Sequence, residues 1–163
     1  MYQLGHYGVS LLVYAPVGYL FVTRGEIALA FVTGAVMLGL AMLPDCDHRL
    51  PFCDHRGPTH SLLFAGFVGA TFAAAGHVLA PSLPFDPGVD PIAFGFFLGS
   101  VTVLSHLLAD TLTPMGVNYL WPVSRKRYTI SLTPAKSPVA NYLLFALGVF
   151  VASASMALAL GIV

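Results

Sequence analysis

His106 and Asp110 stand four residues apart in an otherwise apolar run, a spacing that sets both side chains on one face of a helix. Imidazole nitrogens and carboxylate oxygens are the usual ligands of zinc and neighbouring first-row metals. An ionisable pair inside an apolar helix is costly and points to function. The plainer reading is a pair that hydrogen-bonds a neighbouring helix and only holds a bundle together. A second concentration of such groups lies at 43–63, Leu43-Pro44-Asp45-Cys46-Asp47-His48 through His55-Arg56-Gly57-Pro58-Thr59-His60-Ser61. It carries three of the seven acidic residues, three of the six histidines and both cysteines. Asp45, Asp47 and His60 from this stretch, together with His6, His106 and Asp110, form a candidate metal-ligand set.

The elements that must position these residues follow from composition. Hydrophobic residues make up 57% of the 163-residue chain and charged residues 9%. So few charges cannot cover the surface of a soluble domain of this size, which leaves lipid as the covering medium. The net charge is zero, so nothing in the overall balance points to nucleic acid. Five apolar stretches, at about 7–22, 26–43, 59–80, 91–112 and 138–163, are long enough or nearly so to cross a bilayer. They are continuous rather than alternating, which favours helices over a barrel. The expected fold is therefore all-α, one polytopic membrane bundle of about five helices over 1–163, with polar site loops at 45–58 and 113–137. The first residues lack a basic region and a following cleavage site, so the first stretch is expected to remain as an anchor. Gly57-Pro58-Thr59 and Ser137-Pro138 read as helix starts.

Lys and Arg in the short loops set the expected orientation. Arg49, Arg56, Arg125, Lys126, Arg127 and Lys136 fall on one side and Arg24 on the other. That count puts the N-terminus and both polar loops in the cytoplasm and the C-terminus outside. Five antiparallel spans then bring His6, Asp45, Asp47, His60, His106 and Asp110 to the same membrane face.

Other polar residues carry weaker signals. His77 comes about 25 Å along a helix from His60, near the opposite face, as an interfacial or packing residue. Cys46 and Cys53 match no usual zinc spacing and read as reduced cysteines. Asp54, Asp86 and Asp90 read as solvated loop charges. Trp121, Tyr119 and Tyr128 suit the membrane–water boundary. Arg125-Lys126-Arg127 reads first as an orientation signal, with a grip on anionic headgroups as a second role.

These motifs also carry a resemblance. His6, Leu43-Pro44-Asp45-Cys46-Asp47-His48, His55-Arg56-Gly57-Pro58-Thr59-His60-Ser61-Leu62 and His106-Leu107-Leu108-Ala109-Asp110-Thr111-Leu112-Thr113-Pro114-Met115-Gly116, with Trp121-Pro122 after them, resemble the YdjM-like membrane proteins. These are described as inner-membrane metal-dependent hydrolases. The resemblance spans nearly the whole chain. It implies a distant relation to zinc-dependent phospholipase C and P1-type nucleases, and so phosphoester hydrolysis at one or two zinc ions.

The mechanism expected from these readings is metal-assisted hydrolysis. Asp45 or Asp47, His60, His106 and Asp110 would hold the metal, with His6 completing the shell. Asp47 could serve instead as general base, and Arg56 as a phosphate clamp through its fork of donors. Thr59 and Ser61 either bind substrate or cap the helix. A lipid-borne phosphoester is the first substrate expectation, and a soluble phosphoester or nucleotide the second. A metal-ion transporter or sensor, and a purely structural membrane scaffold, are the rival classes. The first would need polar residues through the depth of its spans.

Overall fold

The computed structural model describes residues 1–49, 56–82 and 89–162. Cys53, Asp54, His55 and Asp86 lie outside them. The described residues form five α-helices, α1 (Gln3–Thr23), α2 (Ile27–Gly39), α3 (Leu62–Leu79), α4 (Pro91–Thr111) and α5 (Pro138–Ala159). No strand forms among the described residues; a single antiparallel bridge joins Val117 and Tyr128. Each helix, with α2 extended to His48 and α3 to Ser82 by short 3₁₀ turns, is 21 or 22 residues long and apolar enough to cross a membrane. At 1.5 Å per residue that is about 32 Å, close to the hydrocarbon thickness of a bilayer.

The distribution of side chains fits lipid rather than water. Phe31, Phe67, Val78, Leu143 and Phe150 are exposed, whereas His6, Ser10, Thr33, His60, Thr102 and His106 are fully buried. A soluble protein reverses this pattern. Close helix approach replaces a hydrophobic driving force inside lipid. A Cβ on Gly8 of α1 would overlap the Leu144 backbone of α5, and one on Gly99 of α4 would lie 2.7 Å from the Val68 carbonyl of α3. Accordingly α1 packs mainly on α5 and α3 mainly on α4, with α1 also against α2 and α4. Ser10 and Ser105 hydrogen-bond at 3.0 Å across α1 and α4.

Local chemistry explains the helix ends. Gly25 takes φ +83° in the α1–α2 turn, a conformation that favours glycine. α2 is shorter than the apolar run predicts: it stops at Gly39, and a 3₁₀ helix, Pro44–Arg49, continues the span. Pro44 lacks the N–H an α-helix needs and disfavours helical backbone at Leu43. Ser61 caps α3 by accepting from Phe64 N–H at 3.1 Å, after a 3₁₀ turn, Pro58–His60. Ser137 caps α5 in the same way, accepting from Ala140 N–H. Asp90 is not simply a solvated loop charge. Its carboxylate accepts from Ile92 and Ala93 N–H at 2.8 Å each and starts α4, with Pro91 at the first helical position.

The loop 113–137 is tied down rather than loose. Val117 and Tyr128 exchange backbone hydrogen bonds, and Ile130 and Leu132 N–H donate to the Thr111 and Leu112 carbonyls at 2.8 Å. Tyr119 and Tyr128 pack edge-on, and the Tyr119 and Thr111 hydroxyls bond at 2.6 Å. These tyrosines hold the loop against the end of α4, which goes beyond a boundary role.

Candidate metal centre

Alternation of the helices brings four chain segments to one end of the bundle. α1 contributes His6 from its first turns. The 3₁₀ helix after α2 contributes Asp45 and Asp47, and the 3₁₀ turn before α3 contributes His60. α4 contributes His106 and Asp110 from its last two turns, one below the other. His77, on the last turn of α3, is exposed and away from this group.

Four ligand atoms converge there. His60 Nε2 and His106 Nε2 face each other at 3.2 Å. Asp45 Oδ1 lies 3.3 Å from the first and 3.4 Å from the second. Asp110 Oδ2 lies 3.5 Å from His60 Nε2 and 3.7 Å from His106 Nε2. Ligands about 2.0–2.1 Å from a tetrahedral zinc ion stand about 3.3–3.4 Å apart. The spacing matches an ion-sized centre bounded by two imidazoles and two carboxylates. His60 and His106 are fully buried and Asp110 is 1% exposed, whereas the Asp45 side chain is 18% exposed.

Neighbouring groups aim both imidazoles at the centre. His106 Nδ1 lies 2.7 Å from the Ala41 carbonyl, so its proton sits on Nδ1 and its Nε2 lone pair points inward. His60 Nδ1 lies 3.0 Å from the Thr59 hydroxyl and 3.3 Å from Asp47 Oδ2. Thr59 in turn donates to Asp47 Oδ2 at 3.0 Å. In the neutral ring, the chain His60 Nδ1–H to Thr59 to Asp47 leaves the second Nε2 lone pair facing the first. Such partners fix tautomer and ring orientation and raise ligand basicity. Burial alone would lower the His60 pKa, but hydrogen bonding to Asp110 and Asp45, with Asp47 nearby, outweighs it and raises the value. The environment favours a cation between these groups, whether proton or metal.

The sequence-predicted site residues divide by position. Asp45, His60, His106 and Asp110 form the four-atom group. Asp47 stands behind His60, where its Oδ2 also accepts the Arg56 backbone N–H at 3.0 Å. It belongs as well to a second group with Asp45 and the exposed His48. His6 stacks on His106, ring centroids 3.9 Å apart, with its Nε2 3.6 Å from Asp110 Oδ1. His6 therefore lies beside the four atoms rather than among them. Thr59 holds Asp47, and Ser61 caps α3; the geometry gives both a positioning task.

Arg56 is engaged differently from an open phosphate clamp. Its NH2 donates to Asp110 Oδ1 at 2.7 Å, and its NH1 donates to the Thr113 hydroxyl and the Gly116 carbonyl. The fork is thereby occupied in holding Asp110, leaving only Nε without a partner among the described residues. Asp110 Oδ1 also lies 3.0 Å from the Met1 backbone nitrogen.

Several contributors were not identified from the sequence. Asn141 of α5 accepts from Tyr2 N–H at 3.0 Å and donates to the Ala135 and Ser137 carbonyls, pinning the start of α1 and hence His6. Its signal was a lone amide in an apolar helix. Thr113 and the Ala41 carbonyl had no residue-type signal of their own. The exposed edge of Asp45 opens on a cavity of about 560 Å³ lined by Leu40, Met42, Leu43, Cys46 and His48 among others.

Comparison with known families supplies one match. The model of the YdjM inner membrane protein family matches residues 1–163, the whole chain. The chain belongs to the YdjM inner membrane protein family. No curated protein and no solved structure matches it. Membership in YdjM agrees with the five helices able to cross a membrane, and places the Asp45–His60–His106–Asp110 group in an inner-membrane protein.

Proposed function

We propose that the chain is a membrane-embedded, metal-dependent hydrolase of a phosphoester, with a lipid-borne substrate favoured, at the cytoplasmic face of the inner membrane. The observation that carries this reading is the convergence of four potential ligand atoms, two imidazole Nε2 atoms and two carboxylate oxygens, at the spacing of a tetrahedral ion. Without a cation such a cluster is self-repelling. Asp45, His60, His106 and Asp110 would hold the ion, zinc by the donor set. When bound it would supply Lewis-acid activation of water near neutral pH.

The chain's own residues set the conditions for that chemistry. Asp47, through Thr59, keeps the proton on His60 Nδ1, and the Ala41 carbonyl keeps the proton on His106 Nδ1. Arg56 holds Asp110 in place and offsets its charge. The surrounding apolar helices exclude water except beside Asp45. The cavity there has a wall of Leu40, Met42 and Leu43, which suits a substrate carrying an acyl chain. Six of the seven Lys and Arg residues fall in the loops at this end, which supports a cytoplasmic orientation.

A transporter would require further ligands along the bundle. Among the described residues, Ser10 and Ser105 bond each other, and Thr33 and Thr102 bond carbonyls of their own helices. None of these offers an ion path. The test is hydrolysis by the purified protein of a chromogenic phosphodiester and of phosphatidic acid. Turnover should stop on chelation, return with zinc and be absent in His106→Ala. A rate equal to that of His106→Ala on both substrates would refute the reading.

A further inference from the structure

A second cavity, of about 420 Å³, lies on the other side of Arg56 and is lined by Arg56, Asn118, Trp121, Arg125 and Arg127, with Gly57 and Pro58. Three guanidinium groups line it and, among the described residues, no carboxylate does. Two of its lining side chains bear orphaned polar atoms. Arg56 is 3% exposed and its Nε has no hydrogen-bond partner among the described residues; Asn118 is 7% exposed and its Oδ1 has none. Each would cost free energy if left permanently unmatched. One is a donor and the other an acceptor, so a single apolar filler would satisfy neither.

We propose that this cavity binds the phosphate group of an ester or a headgroup. A phosphate supplies oxygens for Arg56 Nε–H and for the forks of Arg125 and Arg127, a geometry that guanidinium matches well. A hydroxyl on the phosphate or on its headgroup would donate to Asn118 Oδ1. The volume exceeds a bare phosphate and leaves room for a small polar headgroup against Trp121. Lys126 belongs to the same basic run but does not line the cavity; its Nζ sits 5.1 Å from the Tyr128 ring centroid. The basic run therefore divides into two residues that build a site and one that does not.

This deepens the proposed phosphoester reading, on which it rests only for its link to chemistry. Arg56 reaches from the cavity to Asp110 Oδ1 at 2.7 Å, so a bound phosphate is one side chain from the metal cluster. Binding itself requires no metal.

The test uses the full chain in dodecyl maltoside, a detergent without phosphate, titrated calorimetrically with inorganic phosphate. Saturable binding is expected, weakened about tenfold or more in Arg125→Gln/Arg127→Gln, in line with loss of charge-assisted hydrogen bonds. Both arginines are exposed, so that variant should keep its fold. Lys126→Gln removes the same charge outside the cavity and should bind as wild type. Asn118→Asp should abolish binding by opposing the anion. Competition by phosphatidylglycerol micelles, with none by phosphatidylcholine, assigns the phosphate to a lipid headgroup; binding without that competition assigns it to a soluble ester. No saturable binding of either probe, or equal weakening by Lys126→Gln, overturns the proposal. Metal content measured on the same samples separates the two readings. Phosphate binding by a metal-free protein leaves this site standing and removes the hydrolase. A metal-bearing protein indifferent to phosphate does the reverse.

Discussion

Asp47 and Asp45 are two residues apart, and their spacing alone treats them alike. The structure separates them by which edge of His60 they meet: Asp45 Oδ1 lies 3.3 Å from Nε2, and Asp47 Oδ2 lies 3.3 Å from Nδ1. The first joins the centre and the second orients the ring from behind. Asp47→Asn should therefore weaken zinc binding about 10–100-fold, the usual scale for an outer partner, without abolishing it. A competition titration with a chromogenic chelator measures this; wild-type affinity in the variant would deny Asp47 its orienting task. Residue types and spacing made the Asp and His set legible, because few ionisable groups stand in so apolar a chain. Which ring nitrogen each carboxylate meets was not legible, since that depends on how the 3₁₀ helix after α2 turns. The engagement of Arg56 by Asp110, Thr113 and Gly116 was hidden for the same reason: its partners lie more than fifty residues away.

At the scale of elements, apolar run lengths located all five helices and Ser137-Pro138 marked the start of α5, whereas Gly57-Pro58-Thr59 opens a 3₁₀ turn and α3 begins only after Ser61. The early end of α2 was missed because the run stays apolar past Gly39 while Pro44 already constrains its backbone. Asp90-Pro91 had the form of a cap followed by a first helical residue, yet a charge in a proline-rich loop also reads as solvated. The seam between α1 and α5 depends on close approach at Gly8 and Gly148, where a Cβ on Gly148 would overlap the Gly8 backbone. Gly148→Leu should therefore lower stability by about 1–3 kcal/mol, the range for overpacking. α5 supplies no ligand to the four-atom group, so folded variant should keep its metal. Thermal unfolding followed by metal analysis of the folded fraction checks both; an unchanged midpoint would show that the seam is not tight there.

For the whole molecule, apolar side chains outside and imidazoles within follow from one requirement, a polar centre placed among membrane-spanning helices. The proposed orientation makes the site end cytoplasmic. With Cys46 and Cys53 replaced, a cysteine at Ser124 should react with an impermeant maleimide only after cells are opened, and one at Ser82 should react in cells whose outer membrane has been permeabilised. The opposite pattern would invert the topology and move the site to the outer face. The central claim, however, concerns the four converging atoms. Elemental analysis of the purified chain, reconstituted with zinc and then desalted, should find about one or two ions per wild-type chain and a loss of the cluster ion in His106→Ala/Asp110→Ala. Wild-type protein that retains no divalent metal, or a double variant that retains as much as wild type, would contradict the account.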